Sequence, residues 1–281
     1  QVGAQRPERR APAPDRTLHL LAQRRAPCGD HLGHEQAGQN AVLLRHVPTD
    51  GEAGALFAAE RDAGEDASQR AAIAALGYPP EYAQYLNAGQ ASGRAGVNLT
   101  AGGLWFQEAG WIRPESLVLS LLHRSRPAML LGREASALER RGESWAVLDA
   151  AGREIASSPN VVLANAADAA RLWPSPHLKL RRIRGQLTYV PPLSGLKTVL
   201  LRSGMVLPPI EGITVTGASF DLDDEDANLR TDSHAGNLER LDRLIPGAAS
   251  GLDPARLEGR VGFRAAAHDR LGRVLPEPGV P

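Results

Sequence analysis

One cysteine, Cys28, stands in 281 residues, which excludes an internal disulfide and any metal site built on several thiolates. Aromatic residues are scarce, at 4%, too few for an aromatic-rich core. A bias toward charge of one sign is also missing. Lys+Arg number 32 and Asp+Glu 32, so no global positive field draws the chain to nucleic acid, and contact with RNA needs a local patch or another domain. No apolar run approaches the length that crosses a bilayer, and charges occupy the N-terminal stretch where a signal peptide needs an apolar core. No membrane partner is expected, and the cysteine usage fits a reducing, cytoplasmic setting. Against these absences stand 42% hydrophobic residues, enough for a core, in a length that suits one large or two ordinary domains. The 29 Gly and 21 Pro mark many turns.

Residues 1–16 carry Pro7, Pro12 and Pro14 among charges without periodicity and read as a disordered tail. Leu18 to Leu21 form a short strand. Cys28, His31 and His34 fall three apart and His46 follows, so a metal site can be drawn. Gly29 and Gly33 interrupt any helix there, and these histidines read as loop residues with no metal. Ala53 to Glu60 and Ser68 to Leu76 have helical composition, and Tyr82, Tyr85 and Leu86 suit one more short helix after Pro79-Pro80. A strand ending near Phe106 leads through a turn with Trp111 to a helix that Pro114 starts, its apolar face formed by Leu117, Val118, Leu121 and Leu122. Short β runs follow at Met129–Leu131, Ser136–Leu138, Trp145–Leu148 and Val161–Ala164, with turns at Arg141-Gly142 and Ala151-Gly152. They predict a three-stranded meander and then a buried strand.

The C-terminal third alternates apolar and polar residues from Leu178 to Pro191, which predicts a strand, then a hairpin over 196–208 and a strand over 214–220. Ser233 is placed to cap a helix whose face is Leu238, Leu241, Leu244 and Ile245. A last short strand carries Val261 and Phe263. Gly185 permits close backbone approach, Ser219 offers a small hydrogen-bonding group, and Arg264 presents a planar fork suited to a carboxylate. Each also has a plain reading as a solvated strand residue. Arg181, Arg182 and Arg184 form either a phosphate-facing patch or a solvated face. Asp223 to Asp226 form either a divalent-cation loop or a solvated turn.

Four stretches occur in an order that resembles one family: Gly110-Trp111 ahead of the Pro114 helix, Arg184-Gly185-Gln186, Gly217-Ala218-Ser219, and Gly262-Phe263-Arg264 followed by Asp269-Arg270-Leu271. Together they resemble the D-amino-acid-oxidase-like flavoproteins, and within them the oxidoreductase half of bacterial bifunctional enzymes that modify the tRNA wobble uridine. The resemblance covers residues 100–271 well and 17–99 weakly. It implies an α/β fold of the FAD-linked oxidoreductase type, a dinucleotide-binding sheet interleaved with a mostly antiparallel substrate domain, incomplete at both ends. The implied FAD-binding parts are 17–44, 114–172 and 259–281, with 45–113 and 173–258 as substrate domain and the Arg260 strand in the dinucleotide sheet.

The resemblance further implies FAD as cofactor, held by Ala135, Ala164, Ala166, Asp269 and Leu271. It gives Arg264 and Ser219 the catalytic roles and places Arg264, Gly262, Phe263, Gly217, Gly185 and Gln186 around the substrate. The implied reaction removes the carboxymethyl group of carboxymethylaminomethyl uridine in tRNA, with an S-adenosylmethionine-dependent methyltransferase domain as partner. A free amino-acid oxidase is the alternative. The chain departs from the family pattern where a Gly-x-Gly-x-x-Gly turn is expected, since residues 1–16 contain only Gly3, and Ala22-Gln23 stands where a ribose-binding acid belongs. The C-terminal glycine-rich loop is missing as well. These departures make the FAD site incomplete and leave a third reading, a non-catalytic remnant.

Overall fold

The computed structural model describes residues 18–20, 55–58, 63–111, 113–175 and 178–267. They form two compact units, one of residues 18–20, 126–175 and Leu178, the other of residues 55–125 and 179–267. Strand β1 (Leu18–Leu20) belongs to the first. The chain then runs in the second unit through β2 (Ala55–Ala58), α1 (Ala63–Leu76), β3 (Gln84–Leu86), α2 (Ala88–Ala95), β4 (Gly103–Phe106) and α3 (Pro114–Ser125). It returns to the first for β5 (Ala137–Arg141), β6 (Ser144–Leu148), β7 (Glu154–Ser158), β8 (Val161–Leu163) and the short α4 (Ala169–Leu172). The second unit then takes β9 (Leu180–Val190), β10 (Val199–Leu201), β11 (Met205–Val206), β12 (Thr214–Gly217), β13 (Asp221–Leu222), α5 (Thr231–Leu244) and β14 (Gly259–Ala267).

In the first unit β1 lies parallel to β8, Leu18 opposite Val161 and Leu20 opposite Leu163, as a dinucleotide-type sheet requires. The meander β5–β6–β7 turns at Gly142 (φ 63°) and Gly152 (φ 73°), both left-handed positions. Its third strand is Glu154–Ser158; Met129–Leu131, expected as a strand, is irregular, and Leu131 is 76% exposed. Ala135, Val147 and Leu172 form the core, with Leu138, Ile155, Val161 and Leu163 packed against it. Trp145 and Trp173 meet edge to face at 5.3 Å.

The second unit is a nine-stranded sheet in the order β13–β9–β12–β11–β10–β2–β4–β3, with β14 on the far side of β9. Within this sheet, among the described residues, only the β10–β2 pairing is parallel. One edge of β9 is shared by β12, reaching Gly217 opposite Leu187, and by β13, starting with Asp221 opposite Arg184. Residues 218–220 bulge out between them. The other edge of β9 is taken wholly by β14, from Gly259 opposite Thr188 to Ala267 opposite Leu180.

Alternation gives this sheet two distinct faces. One packs against α2 and α5 and holds the core, including Leu56, Trp105, Leu200, Val206, Leu238 and Leu241. Leu56 and Leu200 are fully buried, each stabilising by about 1.5–3 kcal/mol. The opposite face is only partly covered and carries Leu104, Leu187, Tyr189, Leu201 and Met205.

Three expectations are corrected here. Within the Ala53–Glu60 segment, Ala55–Ala58 form strand β2, because Leu56 sits between Leu200 and Trp105 in the ladder, and pairing outweighs the helix preference of the alanines. Tyr85 and Leu86 likewise join strand β3 rather than a helix. The Arg260 strand joins β9 through nine pairs, and so lies in this sheet and not in the dinucleotide unit. The division into units also differs from the expected one at α3, where Arg113 ties the helix start to Glu211 of the sheet unit at 3.0 Å.

Candidate functional site on the open face of the sheet

The period of two sorts the predicted residues. Gly185, Gly262 and Arg264 fall on the partly covered face, with Gly262 directly opposite Gly185. Gln186 and Phe263 fall on the other. Over Gly185 three groups converge: a Cβ at that position would lie 3.3 Å from the Ser219 carbonyl oxygen, 3.7 Å from the Ala218 Cβ and 3.8 Å from Arg264 Nη2. A side chain at Gly185 would press against the Ser219 carbonyl, so these groups pack closely over a buried glycine. Gly262 leaves the neighbouring position open, since no atom lies within 4 Å of where its Cβ would stand. Gly217 enters the bulge at φ 149°, where a side chain would also meet the Gln186 carbonyl oxygen at 3.1 Å. Arg264 is exposed, and among the described residues its guanidinium has no hydrogen-bond or ion-pair partner. A free, exposed fork beside the open position at Gly262 is a geometry that accepts a carboxylate.

Ser219 is held rather than free. Its hydroxyl donates to Asp221 Oδ2 at 2.8 Å and accepts from the Gln186 N–H at 3.1 Å, and the side chain is buried. The predicted catalytic hydroxyl thus fixes the bulge, and the atom that Ser219 presents over Gly185 is its carbonyl oxygen. Gln186 is corrected in the same way. Its Oε1 accepts from Arg184 Nη2 at 2.9 Å and from the Arg230 N–H at 2.8 Å, while Nε2 donates to the Arg230 carbonyl at 2.8 Å. A fully buried amide engaged inside in this way is not free to bind substrate; it fixes Arg230, the residue that precedes α5, while Ser233, expected as the cap, lies within the first turn of the helix, which has no side-chain cap. Phe263 lies away from Arg264, with Arg182 5.8 Å over its ring.

The arginines of β9 are neutralised by the acidic run, so neither a phosphate patch nor a cation loop forms there. Arg184, wholly buried, donates to the Asp226 carbonyl at 2.7 Å, the Asn228 carbonyl at 2.5 Å and Asp221 Oδ2 at 3.1 Å. Arg181 pairs with Asp223, Arg182 with Glu225 at 3.6 Å, and Arg230 with Asp224 at 2.5 Å and Asp226 at 2.9 Å. Hydrogen bonds from Arg181 and Arg230 hold the Asp223 and Asp224 carboxyls below the usual carboxylate range. Asp226 is lowered chiefly by the Asn228 N–H, then by Arg230. No group of residues able to hold a metal occurs among the described residues.

Beneath this lattice, on the core side, His234 Nδ1 lies 2.8 Å from Thr188 Oγ1, and Asn237 Nδ2 donates to the same oxygen at 2.9 Å and to the Gln186 carbonyl at 2.8 Å. His234 Nε2 is buried without a partner among the described residues, and burial lowers its pKa. Trp111, expected to pack, is 41% exposed.

In the dinucleotide unit the Ala135 carbonyl accepts from Arg171 Nη2 at 3.1 Å, so its backbone oxygen is already engaged. Ala164 and Ala166 are exposed at the carboxyl end of β8, and Ala166 takes a left-handed conformation, φ 54°. Asn165 between them buries both amide atoms without a partner among the described residues. An orphaned buried amide at the carboxyl end of a parallel strand, where nucleotide ligands bind in α/β sheets, fits a cofactor contact. It was not among the predicted site residues, and only its place after a short apolar strand marks it in sequence. Asp269, Leu271, Cys28, His31, His34 and His46 lie outside the described residues.

A parallel dinucleotide-type pair in one unit and a mostly antiparallel sheet with a partly covered face in the other are the parts expected of an FAD-linked oxidoreductase. The chain belongs to the family described as FAD dependent oxidoreductase, which matches residues 37–280 and so extends past Leu271, where the motif resemblance ended. It is 41% identical over 239 residues to the tRNA 5-methylaminomethyl-2-thiouridine biosynthesis bifunctional protein MnmC of Paraburkholderia phytofirmans, covering 82% of this chain and 36% of that protein. The protein of the same name from Burkholderia mallei is 42% identical over 211 residues, 73% of this chain and 32% of that one. The chain thus spans about a third of the length of the curated relatives it matches. Among solved structures, glycine oxidase from Geobacillus kaustophilus superposes with a TM-score of 0.63 at 19% identity, over 86% of this chain and 69% of that one. Iminodiacetate oxidase from Chelativorans sp. BNC1 gives 0.61 at 21% identity, over 83% and 67%. These two share the fold.

Proposed function

We propose that this chain oxidises the carbon–nitrogen bond of an N-substituted glycine borne by the wobble uridine of tRNA. The observation that carries the reading is the free Arg264 guanidinium over Gly185, beside the Ser219 carbonyl, on the open face of the sheet. The name of the curated relatives supplies the substrate class: their product is a methylaminomethyl uridine. When bound, FAD supplies the oxidant that takes up two electrons and a proton from the carbon next to nitrogen.

The chain's own residues do the positioning. Arg264 holds the carboxylate of the carboxymethylaminomethyl group by its fork, and the open position over Gly262 admits the methylene that links carboxylate to amine. The Ser219 carbonyl is an acceptor within reach of the amine N–H. It is kept in place by the Gln186 N–H and Asp221 contacts of its own hydroxyl. Asn165 is the contact we assign to the cofactor in the other unit, with the backbone at Ala164 and Ala166. The net change converts N–CH2–carboxylate to a free amine and glyoxylate, water supplying the aldehyde oxygen. A methyltransferase domain would then methylate that amine, which fits relatives named bifunctional.

The test is product analysis of the FAD-supplied chain with carboxymethylaminomethyl tRNA and, separately, with glycine and sarcosine. Glyoxylate with aminomethyl uridine from tRNA alone supports the proposal. Turnover of the free amino acids with none on tRNA would assign the chain to the free amino-acid oxidases. Arg264→Lys replaces the fork by a point charge and loses a charge-assisted hydrogen bond of about 1.5–3 kcal/mol, roughly 10- to 150-fold in kcat/KM. Equal kinetics for this variant and the parent would remove Arg264 from the site.

A further inference from the structure

Strand β14 carries a second free guanidinium. Arg260 and Arg264 are both exposed and share the open face on either side of Gly262, and among the described residues neither has an ion-pair or hydrogen-bond partner. The other arginines of this region are treated differently: Arg181, Arg182, Arg184 and Arg230 each meet an acid of the 221–226 segment. In a chain with as many acids as bases, two unpaired arginines on one face of one strand make a local positive patch. Four residues of strand put the two α-carbons about 13 Å apart, a spacing at which each fork can take an anion of its own. An amino acid of the glycine type has one anionic group and leaves Arg260 with nothing to bind. A substrate with a carboxylate at its reacting end and phosphodiesters on its backbone has an anion for each. The outer edge of β14 has no strand beside it among the described residues, so a polynucleotide can approach there.

We propose that Arg260 is a phosphate contact, holding the RNA backbone of the substrate while Arg264 holds the reacting carboxylate. The inference rests on the tRNA reading above and names how the same face takes a polyanion. Such a contact gives affinity and register but no base preference, and it weakens with salt through counterion release.

The experiment measures binding of a labelled, unmodified anticodon stem–loop RNA to the full chain by fluorescence anisotropy between 50 and 200 mM salt, values that bracket the physiological range. Arg260→Gln is expected to weaken binding several-fold and to reduce the slope of log affinity against log salt by about 0.7–0.9. Arg243→Gln, which removes an exposed charge from α5, is expected to leave that slope unchanged. Circular dichroism and flavin content of each variant report folding and cofactor retention. If the parent binds and Arg260→Gln matches it in affinity and slope, Arg260 is not a phosphate contact while the tRNA reading stands. A parent with no salt-dependent RNA binding overturns both. An equal slope change in Arg243→Gln, or loss of FAD from Arg260→Gln with RNA affinity intact, also overturns the assignment.

Discussion

Replacing Arg184 by methionine should remove about 3–5 kcal/mol of stability, because the side chain is fully buried and its donors close an entire loop. The guanidinium satisfies the Asp226 carbonyl at 2.7 Å and the Asn228 carbonyl at 2.5 Å, and neither has another donor among the described residues. Each orphaned acceptor costs about 1–3 kcal/mol. Gln186 Oε1 keeps the Arg230 N–H and Asp221 keeps the Ser219 hydroxyl, so these two lose less. Asp221 is also 35% exposed, and water screens part of its lost ion pair. Two carbonyls and one partly screened pair give the stated range, against a typical total of about 5–15 kcal/mol. Urea unfolding followed by circular dichroism measures the loss. Arg184→Lys, which keeps the charge but reaches fewer acceptors, should fall between parent and methionine and remains measurable should the methionine variant not fold. A loss under about 1 kcal/mol for Arg184→Met would mean that the 221–230 segment is held by other contacts and that the reasoning fails.

Two further outcomes follow from local geometry. Ala166 sits at φ 54°, a region that L-residues enter at a cost of about 1–2 kcal/mol, so Ala166→Gly should gain up to about 1 kcal/mol after the glycine's own chain entropy; a lower thermal midpoint would contradict this. His234 is buried neutral with its pKa lowered, whereas the unfolded ring protonates near 6.5; acidification from about pH 7 to 5 should therefore reduce stability as the unfolded state takes up the proton. His234→Gln should flatten that pH dependence, and an unchanged slope would show that the ring does not govern it.

The strands that frame the site were legible because alternation in 178–191 and the short apolar runs around Val215 and Val261 mark extended chain. So was α5, whose Leu238, Leu241 and Leu244 do face the core. The same period of two, followed further, separates Phe263 from Arg264 and Gln186 from Gly185, and that sorting was available before any coordinates. Burial of Arg184 was not. Its acceptors lie 37 and 42 residues further on, and only the fold brings a run of acids back onto β9. Strand β2 was hidden for a related reason: an alanine-rich tetrapeptide between two strands reads as helix until its partners, Val199–Leu201 and Gly103–Phe106, are known.

The two-sidedness of β14 sets how this stretch can vary between related genes. A codon changed at one position alters a single contact, and the rest of the strand keeps its place. A codon gained between Gly262 and Phe263 would instead exchange the faces of everything after it. The phenyl ring would then lie over Gly185, and the guanidinium would turn inward beside Arg182 and Arg184, where three like charges would share the acids that now serve two. Length should therefore be more tightly held than identity along Gly259–Ala267, so that small gaps in this strand disable the chain more surely than point changes do.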